Sequence, residues 1–154
     1  MVRIRKAKRS DVPFLEKLDL FGNQLNRYSG LDRLDPNIKE EPGKKSYYEK
    51  FILGKKKWCL VAEEDKILGF ILFNIEKRPS YFKVKEVGYI DLLYVDKKAR
   101  AQGISKLLMK KAREILKAEN IKHLKLSVHS DNPAKKVWEK YGFKEYSVDI
   151  WRRL

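Results

Sequence analysis

From Tyr94 to Leu108 the chain runs from the apolar end of a strand, through the short basic turn Asp96-Lys97-Lys98-Ala99-Arg100-Ala101-Gln102-Gly103, into the start of an amphipathic helix. This run constrains the fold more than any other. In the helix, Ile104, Leu107, Leu108, Ala112, Ile115 and Leu116 recur at the three-and-four spacing of a core-facing stripe, with Lys106, Lys110, Lys111, Arg113 and Lys117 on the other side. A helix anchored by such a stripe presents its N-terminus in a set direction. Small residues at Ala101, Gly103 and Ser105 let the backbone come close to a ligand, so the amides at the helix start can cradle an anion such as a polyphosphate.

The rest of the chain supplies a sheet for that helix to cover. Val2 to Ala7 alternates apolar and basic residues as a strand with one covered face. Ser10-Asp11-Val12-Pro13 starts a helix whose stripe is Phe14, Leu15, Leu18, Phe21 and Leu25. Residues 29–43 are polar, with Pro36, Pro42 and two glycines, and read as a long loop; a second helix follows from Lys45 to Leu53. Trp58 to Ala62 and Ile67 to Ile75 are strands joined by a hairpin at Glu63-Glu64-Asp65-Lys66, and Arg78-Pro79-Ser80 breaks the second. Val84 to Val95 and His123 to Val128 are further strands. Asp131-Asn132-Pro133 opens a helix that Gly142 ends, and Phe143 to Trp151 reads as a last strand.

The order strand, two helices, three strands, helix, strand, helix, strand predicts an α/β fold, with a mixed, mostly antiparallel central sheet and helices on both faces. A length of 154 residues fits a single domain spanning 1–154 and buries a core without staples. The one cysteine, Cys59, lies in an apolar run and reads as an inert core thiol; Trp58 and Trp151 read as core too.

Residues Arg100-Ala101-Gln102-Gly103-Ile104-Ser105 resemble the cofactor signature of the GNAT superfamily of N-acetyltransferases, Arg/Gln-x-x-Gly-x-Gly/Ala, with serine in the last place. Asp131-x-x-Ala134-x-x-x-Trp138-x-x-x-Gly142-Phe143 resembles the superfamily's Asn-x-x-Ala-x-x-x-Tyr-x-x-x-Gly-Phe. Here Asp131 replaces the asparagine, with Asn132 beside it, and Trp138 replaces the tyrosine. The element order resembles the superfamily's from about Val2 to Trp151.

The resemblance implies acetyl-coenzyme A as co-substrate, with its pyrophosphate on the amides from Gln102 to Ser105. Arg100, Ala101, Lys106, Asn132 and Lys135 are the neighbouring candidates for binding it. It implies that main-chain groups of Leu93, Tyr94 and Val95, on a strand splayed by a bulge, pair with the pantetheine arm and supply an oxyanion donor. The implied activity is acetyl transfer to a primary amine of a protein, peptide or small molecule by direct attack in a ternary complex. No metal is implied. Lys97, Lys98 and Lys136 flank the phosphate region as further ligands or as a solvated face.

An alkylammonium is almost fully protonated at neutral pH, so a proton acceptor is needed. Asp91, set among Tyr89, Ile90, Leu92 and Leu93, is the candidate base, because partial desolvation raises a carboxyl's pKa; the alternative is a strand-edge aspartate facing water. Glu86 is the second candidate. The resemblance implies a tyrosine hydroxyl that protonates the departing thiolate, which Trp138 cannot supply; Tyr141, one turn away, is the candidate substitute or a helix-end packing residue, and without a substitute the thiolate leaves unaided. The acids Asp32, Asp35, Glu40 and Glu41 in the long loop are candidates for gripping a cationic acceptor, or simply surface residues. The short C-terminal region leaves a single last strand, which predicts a homodimer covering that edge.

A formal charge of +15 favours anionic partners without choosing among them. Aromatics such as Tyr47, Tyr48, Tyr81 and Phe82 among lysines raise a basic nucleic-acid-binding module as an alternative, but no groove-reading or base-stacking motif accompanies them, so specific nucleic-acid binding is not expected. A non-catalytic acyl-coenzyme A sensor is the other alternative, suggested by Trp138. His123 and His129 lack metal-ligand spacing. With no apolar run long enough for a membrane span, and residues 1–8 basic without a signal core, the expectation is a cytoplasmic protein.

Overall fold

The computed structural model describes residues 1–18 and 44–154, and the side chains of all of these except residues 44–46. The predicted loop, the far end of the first helix and the four loop acids lie outside the described residues. The chain divides into two compact units, which contain, of the described residues, 1–18 with 44–126 and 127–154.

The first unit is built on a five-stranded sheet in the order β1 (Arg3–Lys6), β2 (Lys57–Glu63), β3 (Ile67–Lys77), β4 (Glu86–Val95), β5 (Leu124–Leu126). Neighbours are antiparallel except β4 and β5, which run parallel. The helices are α1 (Val12–Leu18), α2 (Lys44–Leu53) and α3 (Ile104–Ala118). β2 and β3 are apolar almost throughout because both their faces are covered. Cys59, Val61, Phe70 and Leu72 face one way and pack with Val12 and Leu15 of α1 and Tyr48 and Phe51 of α2. The alternate residues Leu60, Ile71 and Phe73 are buried as well.

On α3 the buried residues are Ile104, Leu108, Met109, Ala112 and Leu116, and the helix has the bounds its stripe predicts. Leu107, read as core, is instead 42 % exposed. At about 100° per residue it falls about 60° outside the arc from Ile104 to Leu116, whereas the buried Met109 lies only about 20° beyond the arc's other end. Trp58 is half-buried and stacks on Phe73 at 5.2 Å.

Arg5 is the ionic hub of this unit. Its guanidinium donates to Asp11 Oδ2 at 2.7 Å and Oδ1 at 3.1 Å, and to Glu63 Oε1 at 2.7 Å and Oε2 at 2.9 Å. Those bonds hold the Glu63 carboxyl down at about 2. Burial pushes the Asp11 carboxyl up, but the bonds from Arg5 and from the Lys8 N–H outweigh it and leave it lowered. Burial drives the Cys59 thiol up to about 12, in keeping with an unreactive core residue.

The second unit contains α4 (Ala134–Lys140), and the expected strand Phe143–Trp151 is absent. A strand exists only through a partner's ladder, and among the described residues none pairs with this segment. Its apolar side chains stand in solvent, with Tyr146 75 %, Val148 66 %, Ile150 91 % and Trp151 58 % exposed, so Trp151 is not core. Among the described residues no helix is long and apolar enough to cross a membrane, and no group of three or more His, Cys, Asp or Glu residues is gathered as for a metal ion.

Candidate active site

The site in the first unit grows from one irregularity in pairing. Along β3 and β4 the register is Leu72↔Leu92 on one side and Phe73↔Ile90 on the other, so Asp91 is an extra residue with no opposite number. Such a bulge bends the strand and re-aims the residue at its crest. Across the other edge of β4, β5 pairs with Gly88, Tyr89 and Ile90 only. Among the described residues, Asp91 to Val95 therefore have β3 on one side and no ladder on the other.

The direction of the main-chain groups on that edge follows from the ladder. The Asp96 N–H donates to Leu68 O at 2.8 Å, so strand alternation turns Tyr94 and Leu92 toward β3 and turns Leu93 and Val95 away from it. Val95 O accepts from Arg100 Nε at 3.2 Å, which folds the turn back on the strand end. The open edge thus offers the N–H and C=O of Leu93 and the N–H of Val95.

Asp96 starts the turn by accepting from the Lys98 N–H at 2.9 Å, and a single 3-10 turn spans Lys97–Ala99. Ala101 then adopts φ 64° and Gly103 φ 75°, two left-handed residues on either side of Gln102. Alternation of this kind turns successive amides to one side, the geometry of an anion nest. The first helical bond of α3 is Leu107 N–H to Gly103 O at 3.1 Å, so the amides of the turn before it point out of the helix end. A Cβ built on Gly103 meets nothing within 4 Å, so the turn is open on that side of Gly103. Ile104, 1 % exposed, pins the helix beneath them, while Arg100, Gln102 and Lys106 stand in solvent and Ser105 is half-buried.

At the bulge, Asn74 Nδ2 donates to Asp91 Oδ2 at 2.5 Å. Desolvation raises the Asp91 carboxyl above its ordinary value, against the Asn74 bond and the charge of Lys57, which lower it. Glu86 lies at the start of β4, bonded by Lys56 Nζ at 2.9 Å, and that bond lowers its carboxyl. Asn74 escaped the sequence reading. Its signal was there, as the sole polar residue between Ile67 and Ile75, but what it touches is not readable along the chain.

Asn132, Lys135, Trp138 and Tyr141 belong to the second unit. Asn132 Oδ1 accepts from the Ala134 N–H at 2.9 Å at the start of α4. Lys135 Nζ donates to Glu145 at 2.8 Å, which raises the lysine and lowers the glutamate. At the helix end, Phe143 N–H bonds Trp138 O at 3.1 Å, Gly142 N–H bonds Glu139 O at 3.0 Å, and Gly142 is left-handed at φ 89°. The Phe143 and Trp138 rings meet edge to face at 5.5 Å. This is a Schellman stop with its apolar contact, so the Trp138-x-x-x-Gly142-Phe143 spacing is dictated by helix termination. Tyr141 is half-buried, 6.1 Å from the Trp138 ring.

Solved structures resemble this fold over its whole length. A predicted acetyltransferase with acetyl-CoA from Clostridium acetobutylicum is 24% identical, with a TM-score of 0.75 over 100% of this chain and 96% of that one. A mutant protein from Bacillus halodurans is 21% identical, with a TM-score of 0.83 over 99% of each chain. An aminoglycoside antibiotic 6′-N-acetyltransferase from Acinetobacter baumannii is 14% identical, with a TM-score of 0.74 over 100% of this chain and 98% of that one. Comparison with curated proteins gives no match. The sequence itself matches the acetyltransferase (GNAT) domain over residues 30–152, most of its length, and the chain belongs to the GNAT acetyltransferase family.

Proposed function

We propose that the protein moves an acetyl group from acetyl-coenzyme A to a primary amine by direct attack in a ternary complex. The observation that carries this reading is the turn ahead of α3, where Ala101 and Gly103 are left-handed and the space at Gly103 is open. Outward-pointing amides and a positive helix end fit a pyrophosphate. Gln102, Gly103, Ile104 and Ser105 would hold it, with Arg100, Ala101 and Lys106 around them. Asn132 and Lys135, candidates from the resemblance, already serve the start of α4 and Glu145.

Bound acetyl-coenzyme A supplies an activated acyl carbon and a thiolate leaving group. The chain's own part is to orient, to donate and to accept. Leu93 and Val95 turn main-chain groups outward along an edge with which a pantetheine arm would pair, and an N–H there is a preset donor for a developing oxyanion. Asp91 takes the proton that the ammonium loses. Its raised carboxyl supports it over Glu86, which Lys56 holds in the weakly basic state. Tyr141 is the candidate proton donor to the thiolate.

The acceptor class is a primary amine of a protein, peptide or small molecule. We also propose a homodimer through the C-terminal region, supported by the exposed apolar side chains of Tyr146, Val148 and Ile150 at every second position. Calorimetry with acetyl-coenzyme A followed by thiol release over a panel of amines tests the function. Binding with release is expected; no binding refutes the proposal, and binding with no release on any amine points to an acyl-coenzyme A sensor instead.

A further inference from the structure

Asn74 is the one buried polar side chain among the described residues, 6 % exposed, in a strand that is otherwise apolar from Ile67 to Ile75. Burying an amide in such a strand costs free energy unless it is bonded, and an aliphatic residue is the default there. Its Nδ2 reaches a carboxylate oxygen of the bulge residue at 2.5 Å. An ionised carboxylate only accepts, so the amine end of the amide must face it. No further hydrogen bond reaches Asp91 among the described residues.

We propose that Asn74 is a positioning residue for acetyl transfer, fixing Asp91 through Oδ2 so that Oδ1 is left to take the acceptor's proton. The inference rests on the reading of Asp91 as the base. In the step, an ammonium gives one proton to the carboxylate and becomes a neutral amine, while the carboxylate becomes a carboxylic acid. A bulge crest with no partner residue across the ladder has no pairing to hold its side chain, and the buried amide supplies that hold. Other charges reach Asp91 from neighbouring strands: Lys57 on β2 draws the carboxyl down and Glu76 on β3 pushes it up. Of the three groups, Asn74 is the one that hydrogen-bonds the Asp91 carboxylate.

The test is a carbon-13 NMR titration of the Asp91 carboxyl, assigned by its loss in Asp91→Asn, in the wild-type protein and in Asn74→Leu and Asn74→Ser. Leucine keeps the branching of asparagine at Cγ, with methyl groups in place of the amide oxygen and nitrogen, and suits the strand; serine, which is smaller, serves should leucine not fold. Removing a charge-assisted bond shifts the midpoint upward by about one unit or more. The acid limb of kcat/KM, measured with an amine the panel identifies, moves with it, while the affinity for acetyl-coenzyme A by calorimetry stays as in wild type. An unmoved midpoint overturns the proposal even when Asp91→Asn is inactive. Full turnover in Asp91→Asn removes the base reading, and with it any positioning role, whatever the midpoint does.

Discussion

Replacing Gly103 by alanine tests the phosphate cradle with two readouts of different origin. At φ 75° an L-residue is strained, and the left-handed region costs about 1–2 kcal/mol relative to glycine. The added methyl meets no protein atom within 4 Å, so no packing cost comes on top. For a chain of this size the expected fall in Tm is about 2–8 °C. The methyl enters the space where the amides of the turn would meet a pyrophosphate. Loss of one hydrogen bond to a charged group, about 1.5–3 kcal/mol, weakens acetyl-coenzyme A binding about 10- to 100-fold. Gly88→Ala is the control. Its Cβ would come within 2.8 Å of a Leu116 methyl and 2.9 Å of a Leu124 methyl, so it lowers stability through overpacking, by about 1–3 kcal/mol, without touching the turn. Differential scanning calorimetry and isothermal titration on both variants decide the matter. If Gly103→Ala loses the expected stability and keeps wild-type affinity, the turn does not hold the pyrophosphate.

Asp91→Asn is expected to lower kcat about 100-fold or more, and Glu86→Gln to leave it near wild type; equal effects in a thiol-release assay would contradict the assignment. Wild-type turnover should rise with pH through a midpoint above the ordinary aspartate value, since the ionised form is the base and desolvation raises its carboxyl. Tyr141→Phe lowers kcat if its hydroxyl protonates the thiolate, and unchanged turnover removes that role. Glu63 is lowered from 4.5 to about 2 by Arg5, so its contribution is complete above about pH 4.5 and is lost as pH falls toward 2. Glu63→Gln should flatten that part of the stability profile in chemical denaturation, and an unchanged acid limb would argue against the Arg5 hub. Light scattering at micromolar concentration should give a dimer mass, and a monomer would count against pairing through residues 143–151.

Elements marked by local periodicity were legible along the chain. α3 has the bounds its stripe implies, β2 and β3 sit where their apolar runs lie, and Gly142 ends its helix. The turn from Arg100 to Lys106 was legible in part: Gly103 is the residue type that permits positive φ and close approach, whereas nothing in its type marks Ala101 as left-handed. Residues 143–151 show the limit. Their alternation is that of a strand, yet alternation states only what a strand would expose, and a ladder needs a second strand.

The bulge that lifts Asp91, the termination of β5 pairing at Ile90 that frees the edge of Leu93 and Val95, and the amide of Asn74 beneath the carboxylate depend on register between segments far apart in the chain. Composition and spacing therefore determined which residues could form the turn at the start of α3 and the strand beside it. Which carboxylate is bonded, which amides are open and which lysine is already paired were decided by tertiary structure, because each is a property of two strands or two side chains meeting in space.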